Sequence, residues 1–365
     1  MGAGQPTAPS EVRFGGGGSS RERISILLSA YGRSPYLTEA IRSVQAQRTT
    51  RPPQELILLT DRPRSLGSSL TIGPSEVPLK ELLVPEPRKG PFFARGIEAC
   101  SGEVICFLND DDLWEPEKLE SVERHMLAWP EVGLHRTGVH FVSEGSSSPP
   151  GRNHFARPTA SLLVRVRRGG HWPRSMSRYR FGFNDSSLTL RRECLVPMLP
   201  YLSEIEASED TFFFLSALAL TNEMVFDPTL LVRYRLPGGA PPGGSWQVRP
   251  EELRSLGREC ALRIRAYEVM QQAAQTMAPT RVEVAGFAER GVRLFELLRA
   301  LLQEQASRAE LATRTTRLLS RWNRYETSVN LGASTLGFLS LASPGLARVV
   351  LVRAGVGQVR ISPST

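Results

Sequence analysis

Phe107-Leu108-Asn109-Asp110-Asp111-Asp112-Leu113-Trp114 joins an apolar run to three consecutive carboxylates. The run itself, Val104 to Leu108, reads as a buried strand entered just after Gly102. Beyond the acids, Pro116 suits the first position of a helix on which Leu119, Val122 and Met126 recur at helical spacing. The carboxylates therefore stand at the C-terminal end of a strand, where open α/β sheets bind their ligands. Three adjacent carboxylates repel one another, so the arrangement costs stability unless a cation or hydrogen-bond donors compensate. A hard divalent ion shared with substrate phosphates is one compensator. A solvated acidic turn that caps the next helix is the competing reading of the same spacing.

Towards the N-terminus, Ile24 to Tyr31 reads as a first strand that ends in Gly32-Arg33-Ser34-Pro35. A helix with Leu37, Ala40, Ile41 and Val44 on one face leads to a second strand, Glu55 to Thr60, which stops at Asp61. Leu82 to Val84 offers a short third strand, and Phe92 to Cys100 a helix that returns the chain to Val104. Near-continuous apolar strands alternating with amphipathic helices predict an α/β fold with a doubly wound, mostly parallel sheet. Its strand ends would gather Tyr31, Asp61 and Asp110 to Asp112 along one crevice.

Towards the C-terminus, residues 143–180 are rich in Ser, Pro, Gly and Arg, include His154, His171 and Trp172, and hold one short apolar segment, Leu162 to Val166. So long an irregular excursion reads as a functional loop. Ser186 to Leu190 reads as a strand, and the acids Glu204, Glu206, Glu209 and Asp210 precede a buried helix, Thr211 to Leu218. Two short strands, Met224 to Phe226 and Thr229 to Tyr234, close the domain. The organisation expected is a disordered tail over 1–21, a catalytic domain over 22–237, a linker over 238–250 and a C-terminal helical extension over 251–365. In that extension Phe295, Leu298, Leu302, Ala309, Ala312 and Leu319 follow three/four spacing, interrupted at Gln305 and Thr316. The apolar segment 331–352 is broken by Pro344 and Arg348 and is too short to span a bilayer.

Composition narrows the class. Of 365 residues 41% are hydrophobic and 22% charged, ordinary for a globular protein. The formal net charge of +8 comes almost wholly from arginine, since Lys80, Lys89 and Lys118 are the only lysines. No zinc-finger spacing, aromatic RNA-binding signature or basic helix accompanies it, so no nucleic-acid partner is expected. Cys100, Cys106, Cys194 and Cys260 are isolated, which argues against disulfides and a zinc site and fits a cytoplasmic setting.

Taken together, these residues resemble the family 2 glycosyltransferases of the glycosyltransferase A fold, a Rossmann-like architecture. The resemblance runs from Ile24 to Arg235 and rests on Ile26 to Tyr31, Glu55 to Asp61, Gly96-Ile97, Gly102 to Ile105, Asn109 to Trp114 and Glu209-Asp210. It implies an inverting transfer of a sugar from a nucleotide-sugar donor, a UDP-sugar foremost, to an acceptor hydroxyl on a glycan, a lipid-linked molecule or a small molecule. By the same resemblance Ser29 and Tyr31 lie at the nucleotide, Tyr31 stacking on the base, and Asp61 accepts from a base N–H. Asp110 contacts the ribose, Asp111 ligates Mg2+ or Mn2+ with Asp112 in reserve, and Asp210 is the general base. Arg88 is a further donor-side candidate. Departures from the family pattern are Ser29-Ala30-Tyr31-Gly32 in place of Pro-Thr-Tyr-Asn, Thr60 where a second Asp is common, Asn109 at the first position of Asp-x-Asp, and Leu236 where a His often follows. Two other readings share the fold: a sugar nucleotidyltransferase, for which Gly32 and Arg33 make a poor phosphate loop, and a non-catalytic sugar-nucleotide or glycan binder. The basic C-terminal region also leaves open a membrane scaffold, with peripheral contact at the inner face of a membrane, and a homodimer.

Overall fold

A computed structural model describes residues 22–319, except 33, 65–66, 68, 143–156, 167–175, 177–178, 180, 236–249 and 304–305, together with 339, 341–343, 347 and 351. At its centre β1 (Ile24–Ala30) lies between β2 (Glu55–Thr60) and β5 (Val104–Asn109), parallel to both. Every residue of β1 and β2 is buried, the pattern of strands covered on both faces, and this is why they read as near-continuous apolar runs. Beyond β2 comes β4 (Ser75–Leu83), parallel to it, with β3 (Ser69–Ile72) as an antiparallel edge.

On the other side β9 (Leu188–Arg191) pairs antiparallel with both β5 and β7 (Val132–Val142), and β10 (Glu223–Arg235) runs parallel to β7. The two-residue β6 (Leu113–Trp114) and β8 (Leu162–Arg165) both pair antiparallel with β10. The sheet is thus mixed but mostly parallel, in the order β3-β4-β2-β1-β5-β9-β7-β10-β6.

Several elements differ from the sequence reading. The two closing strands are one strand, β10, with register shifts between Asp227 and Val232 that absorb Pro228. A proline interrupts the ladder and is accommodated at such an irregularity. The third strand is longer and polar on one side, and β7 has no counterpart in the expectations. The helix after the acids starts at Lys118, as α3 (Lys118–Val122), and continues as a π-helical turn over Glu123–Leu127.

Helices cover both faces. On one, α1 (Leu37–Gln45) buries Leu37, Ala40, Ile41 and Val44, the stripe its spacing predicts, and α3 lies beside it. On the other lie α2 (Lys89–Ala99), the short α4 (Leu199–Leu202) and α5 (Glu209–Leu220). Helix α5 is apolar all round because it is enclosed on every side: Phe213 stacks on Phe107 of β5, and Phe214 meets Phe287 of the C-terminal region edge to face.

That region, α6 (Pro250–Met277), α7 (Val282–Leu302) and α8 (Arg308–Leu319), continues the sheet's own hydrophobic core instead of standing apart from it. Gly291 lets α6 and α7 close up, since a Cβ there would come within 2.1 Å of the Tyr267 ring. The buried Arg281 guanidinium donates to Leu218 O at 2.6 Å and Thr221 O at 2.5 Å, satisfying carbonyls at the end of α5. The single interrupted helix expected from Phe295 to Leu319 is two helices, the first ending at Leu302 and the second starting at Arg308. Among the described residues no helix is long and apolar enough to cross a membrane. The tail 1–21, the linker apart from its last residue, most of the segment 331–352, and His154, His171 and Trp172 lie outside the described residues.

Candidate active site

The C-terminal ends of β1, β5 and β10 and the N-termini of α2 and α5 are linked to one another by hydrogen bonds and an ion pair, and the space they frame is the candidate crevice. The Asp110 amide donates to Ser29 O at 3.0 Å, so the acidic turn is hung on the central strand. Asp110 is 8% exposed, and its Oδ2 is buried without a hydrogen-bond partner. Burial first, and Asp111 second, push its carboxyl up to about 7. Asp111 is exposed to solvent, yet the surrounding protein still raises its carboxyl above the ordinary range.

Asp112 points into the protein. Its Oδ2 accepts from Asn184 Nδ2 at 2.8 Å and Ser186 Oγ at 2.6 Å, and its Oδ1 from the Arg235 amide at 3.1 Å. With both oxygens so occupied, Asp112 anchors the turn, and Asp111 is the carboxylate that faces outward. Asn109 is occupied too, since its Oδ1 accepts from Ser29 Oγ at 2.7 Å. Ser29, expected at the nucleotide, is 6% exposed and spends its hydroxyl on this cross-strand bond.

Tyr31 leaves β1 39% exposed, held edge to face on Phe92 and by its hydroxyl on Pro87 O. It is an exposed aromatic residue at the rim. Asp61 is paired with Arg62 through two contacts, 3.0 and 2.9 Å, and Arg62 above all holds its carboxyl below the usual range. A base N–H would have to compete with that guanidinium. Arg88 is likewise held by Glu86, at 3.0 and 3.2 Å, ahead of α2.

The neighbouring Lys89 reaches across instead, its Nζ 2.6 Å from Glu209 Oε1. Asp210, beside Glu209 in the first turn of α5, accepts from the Asn184 amide at 3.2 Å through Oδ2 and from the Thr211 amide at 2.6 Å through Oδ1. The structure therefore joins Asp112 and Asp210 through one residue and assembles Asp110, Asp111 and Asp210 around the crevice. Ser29, Asp61 and Arg88 lie nearby but are bound to protein partners.

The sequence reading passed over the turn that makes this junction. Asn184 precedes a 3-10 turn over Asp185–Ser187 and has φ 62° and ψ 113°. Asp185 is buried with Oδ1 unpartnered, and burial, followed by Glu209 and Asp210, lifts its carboxyl well above the ordinary range. The turn is fixed from behind by Trp114 Nε1 donating to Ser186 O at 2.9 Å and Lys118 Nζ donating to Ser187 O at 3.1 Å. The sequence signal for it was Asn-Asp-Ser-Ser, a composition typical of side-chain-capped turns.

As to a metal, the hard oxygens of Asp111 and the orphaned Asp110 Oδ2 fit a Mg2+ or Mn2+ ion bridging phosphates. A second set that could hold a metal is His125, His135 and Asp227, whose candidate ligand atoms lie within 4.8 Å of one another. It sits behind α3, away from the crevice, and Ser121 Oγ already lies among these atoms, 2.5 Å from Asp227 Oδ2 and 3.2 Å from His135 Nε2.

A mixed α/β sheet with carboxylates at its central strand end, facing acids on a helix N-terminus, is the architecture of a glycosyltransferase A domain. Residues 25–178 match Glycosyl transferase family 2, which assigns that stretch to the family. An uncharacterized glycosyltransferase of Nostoc sp., alr2836, is 33% identical over 190 residues, 49% of this chain and 53% of that protein. YwdF of Bacillus subtilis, also an uncharacterized glycosyltransferase, is 30% identical over 137 residues, 37% of this chain and 50% of that protein. The chain thus spans about half the length of these curated relatives. The crystal structure of S. aureus TarS 1-349 superposes with a TM-score of 0.50 at 12% identity, covering 91% of this chain and 90% of that one, a likeness of fold.

Proposed function

We propose that the chain transfers a sugar from a nucleoside diphosphate donor, a UDP-sugar in the first instance, to an acceptor hydroxyl with inversion. The observation that supports this reading is the Asn184 bridge, which links Asp210, read here as the base, to the turn of Asp110, Asp111 and Asp112, read here as the diphosphate side. Asp110 and Asp111 would hold the divalent ion, which when bound offsets the charge gained by the departing diphosphate. Tyr31, exposed at the rim, would stack on the base of the nucleotide. The acceptor oxygen bonds to the anomeric carbon while the bond to the diphosphate breaks, and Asp210 takes the hydroxyl proton. The acceptor, on this reading, is a glycan, a lipid-linked molecule or a small molecule, met in the cytoplasm or at the inner face of a membrane.

The test is calorimetric titration of UDP and GDP, with and without Mn2+, into wild type and Asp111→Asn. Metal-dependent binding of one nucleotide, weakened at least tenfold in the variant, is the expected result. Equal binding by the two proteins would remove Asp111 from the donor site, and no binding by wild type would favour the non-catalytic reading.

A further inference from the structure

We infer that Asn184 is a positioning residue that couples the metal-motif turn to the general base, setting the distance between donor phosphates and acceptor hydroxyl. Three observations carry it. First, one residue makes both links: its side-chain amide donates to Asp112 Oδ2 at 2.8 Å, and its main-chain amide donates to Asp210 Oδ2 at 3.2 Å. These partners are 72 residues earlier and 26 residues later in the chain, so no local geometry would bring them together.

Second, Asn184 holds a positive φ of 62°, and among the described residues only Ser208, at 65°, is another non-glycine of that kind. Ser208 directly precedes Glu209-Asp210, so both strained positions adjoin the base. Side-chain-bearing residues keep such conformations where the surroundings over-determine them, which happens most at functional sites. Third, the surroundings here do over-determine it. Asn184 Oδ1 accepts from the Ser187 amide at 3.1 Å, Ser186 Oγ bridges Asp112 and the Asn109 amide, and Trp114 and Lys118 pin the turn from behind.

Within α5, Thr211 holds the Asp210 carboxylate through Oδ1. The main-chain bond from residue 184 holds the other oxygen, Oδ2, and the side-chain bond refers the base to the same turn that carries Asp110 and Asp111. A misplacement of about 1 Å in such a constellation can cost about 100-fold in rate. This inference rests on Asp210 acting as the base of a sugar transfer.

The experiment compares wild type, Asn184→Ala and Asn184→Gly as full chains. Both variants lose the side-chain amide to Asp112 and keep the main-chain N–H to Asp210; they differ in that glycine accepts a positive φ and alanine disfavours it, so glycine reports the loss of the side-chain link alone. The readouts are affinity for UDP or GDP with Mn2+, the thermal midpoint, and kcat and KM for nucleoside diphosphate release from a panel of UDP- and GDP-sugars. Alanine is expected to lower kcat about 100-fold while KM and nucleotide affinity stay within about threefold, and glycine to recover about tenfold of that loss. Equal rates for alanine and glycine, or a rate loss that merely follows lost nucleotide affinity and thermal midpoint, would overturn the inference. Should the alanine variant not fold, glycine alone decides: about a tenfold lower kcat at unchanged nucleotide affinity supports it, and an unchanged kcat overturns it. A wild type that binds neither nucleotide and turns over no donor would remove the sugar-transfer reading and this inference together. A working wild type whose two variants behave alike would remove this inference only.

Discussion

Two buried polar clusters share this sheet, and they are built on opposite plans. Behind α3, His125, His135, Ser121 and Asp227 spend their groups on one another. Ser121 Oγ donates to Asp227, His125 Nδ1 lies 2.9 Å from Ser121 O and His125 Nε2 3.2 Å from Ser161 Oγ, and Asp227 Oδ1 accepts from both the amide and the hydroxyl of Thr229. Only the His135 Nδ1 nitrogen is left over. At the crevice, carboxylate oxygens of Asp110 and Asp185 are buried without partners, beside the two strained positions Asn184 and Ser208. An unpaired buried polar atom costs about 1–3 kcal/mol, and more when charged. The closed cluster accounts for itself as structure; the open one is explained by a ligand that supplies what is missing.

The contrast breaks most sharply at Asp210. Asp210→Asn is expected to lower sugar transfer by about 10²–10⁴-fold, the usual worth of a general base, while UDP or GDP affinity and the thermal midpoint stay at wild-type values. A variant that keeps its rate would move the base elsewhere. The closed cluster should respond in the opposite way. Asp227→Ala strands three donors and is expected to cost about 3 kcal/mol of stability, read by denaturant unfolding, with nucleotide binding unchanged in the folded protein. A nucleotide affinity that fell with Asp227 would join the two clusters into one site.

The two regions also differ in how far the sequence betrayed them. Strands β1, β2 and β5 were legible because burial on both faces leaves them mostly apolar, and Asp110 to Asp112 stand out against such a run. Strand β7 was not legible, because His135, Arg136, Thr137 and His140 break its apolar pattern, and each finds its partner only in the folded chain: Thr137 Oγ1 accepts from Lys118 Nζ, and the Arg136 guanidinium lies over the Phe226 ring. Asn184 was hidden for the same reason, since a positive φ and contacts across 72 residues have no local signature. Asp61 and Arg88 illustrate the converse: residue type and position made them candidates, and in the folded chain each is ion-paired with a near neighbour, Arg62 and Glu86, a pairing that any ligand would meet.

The smallest effect, and the one that sharpens the comparison furthest, is the pH dependence of stability in metal-free protein. Burial lowers the pKa of His125 and takes that of His135 well below 6.5, so in the fold these rings refuse a proton that the unfolded chain accepts. Their contribution is therefore intact above about pH 6.5 and is lost as the pH falls below it. Asp110 has the opposite sign. Its folded pKa of about 7 lies above the unfolded 3.8, so the fold keeps a proton that the unfolded chain has released, and stability rises as the pH falls from about 7 towards 4. Between pH 7.5 and 5.5 the two slopes therefore oppose each other. Thermal midpoints measured across that range with chelator present should fall more steeply on acidification for Asp110→Asn than for wild type, and less steeply for His135→Gln. Parallel slopes in all three proteins would mean that neither cluster titrates on its own terms, and that the crevice carboxyls are already satisfied without a ligand.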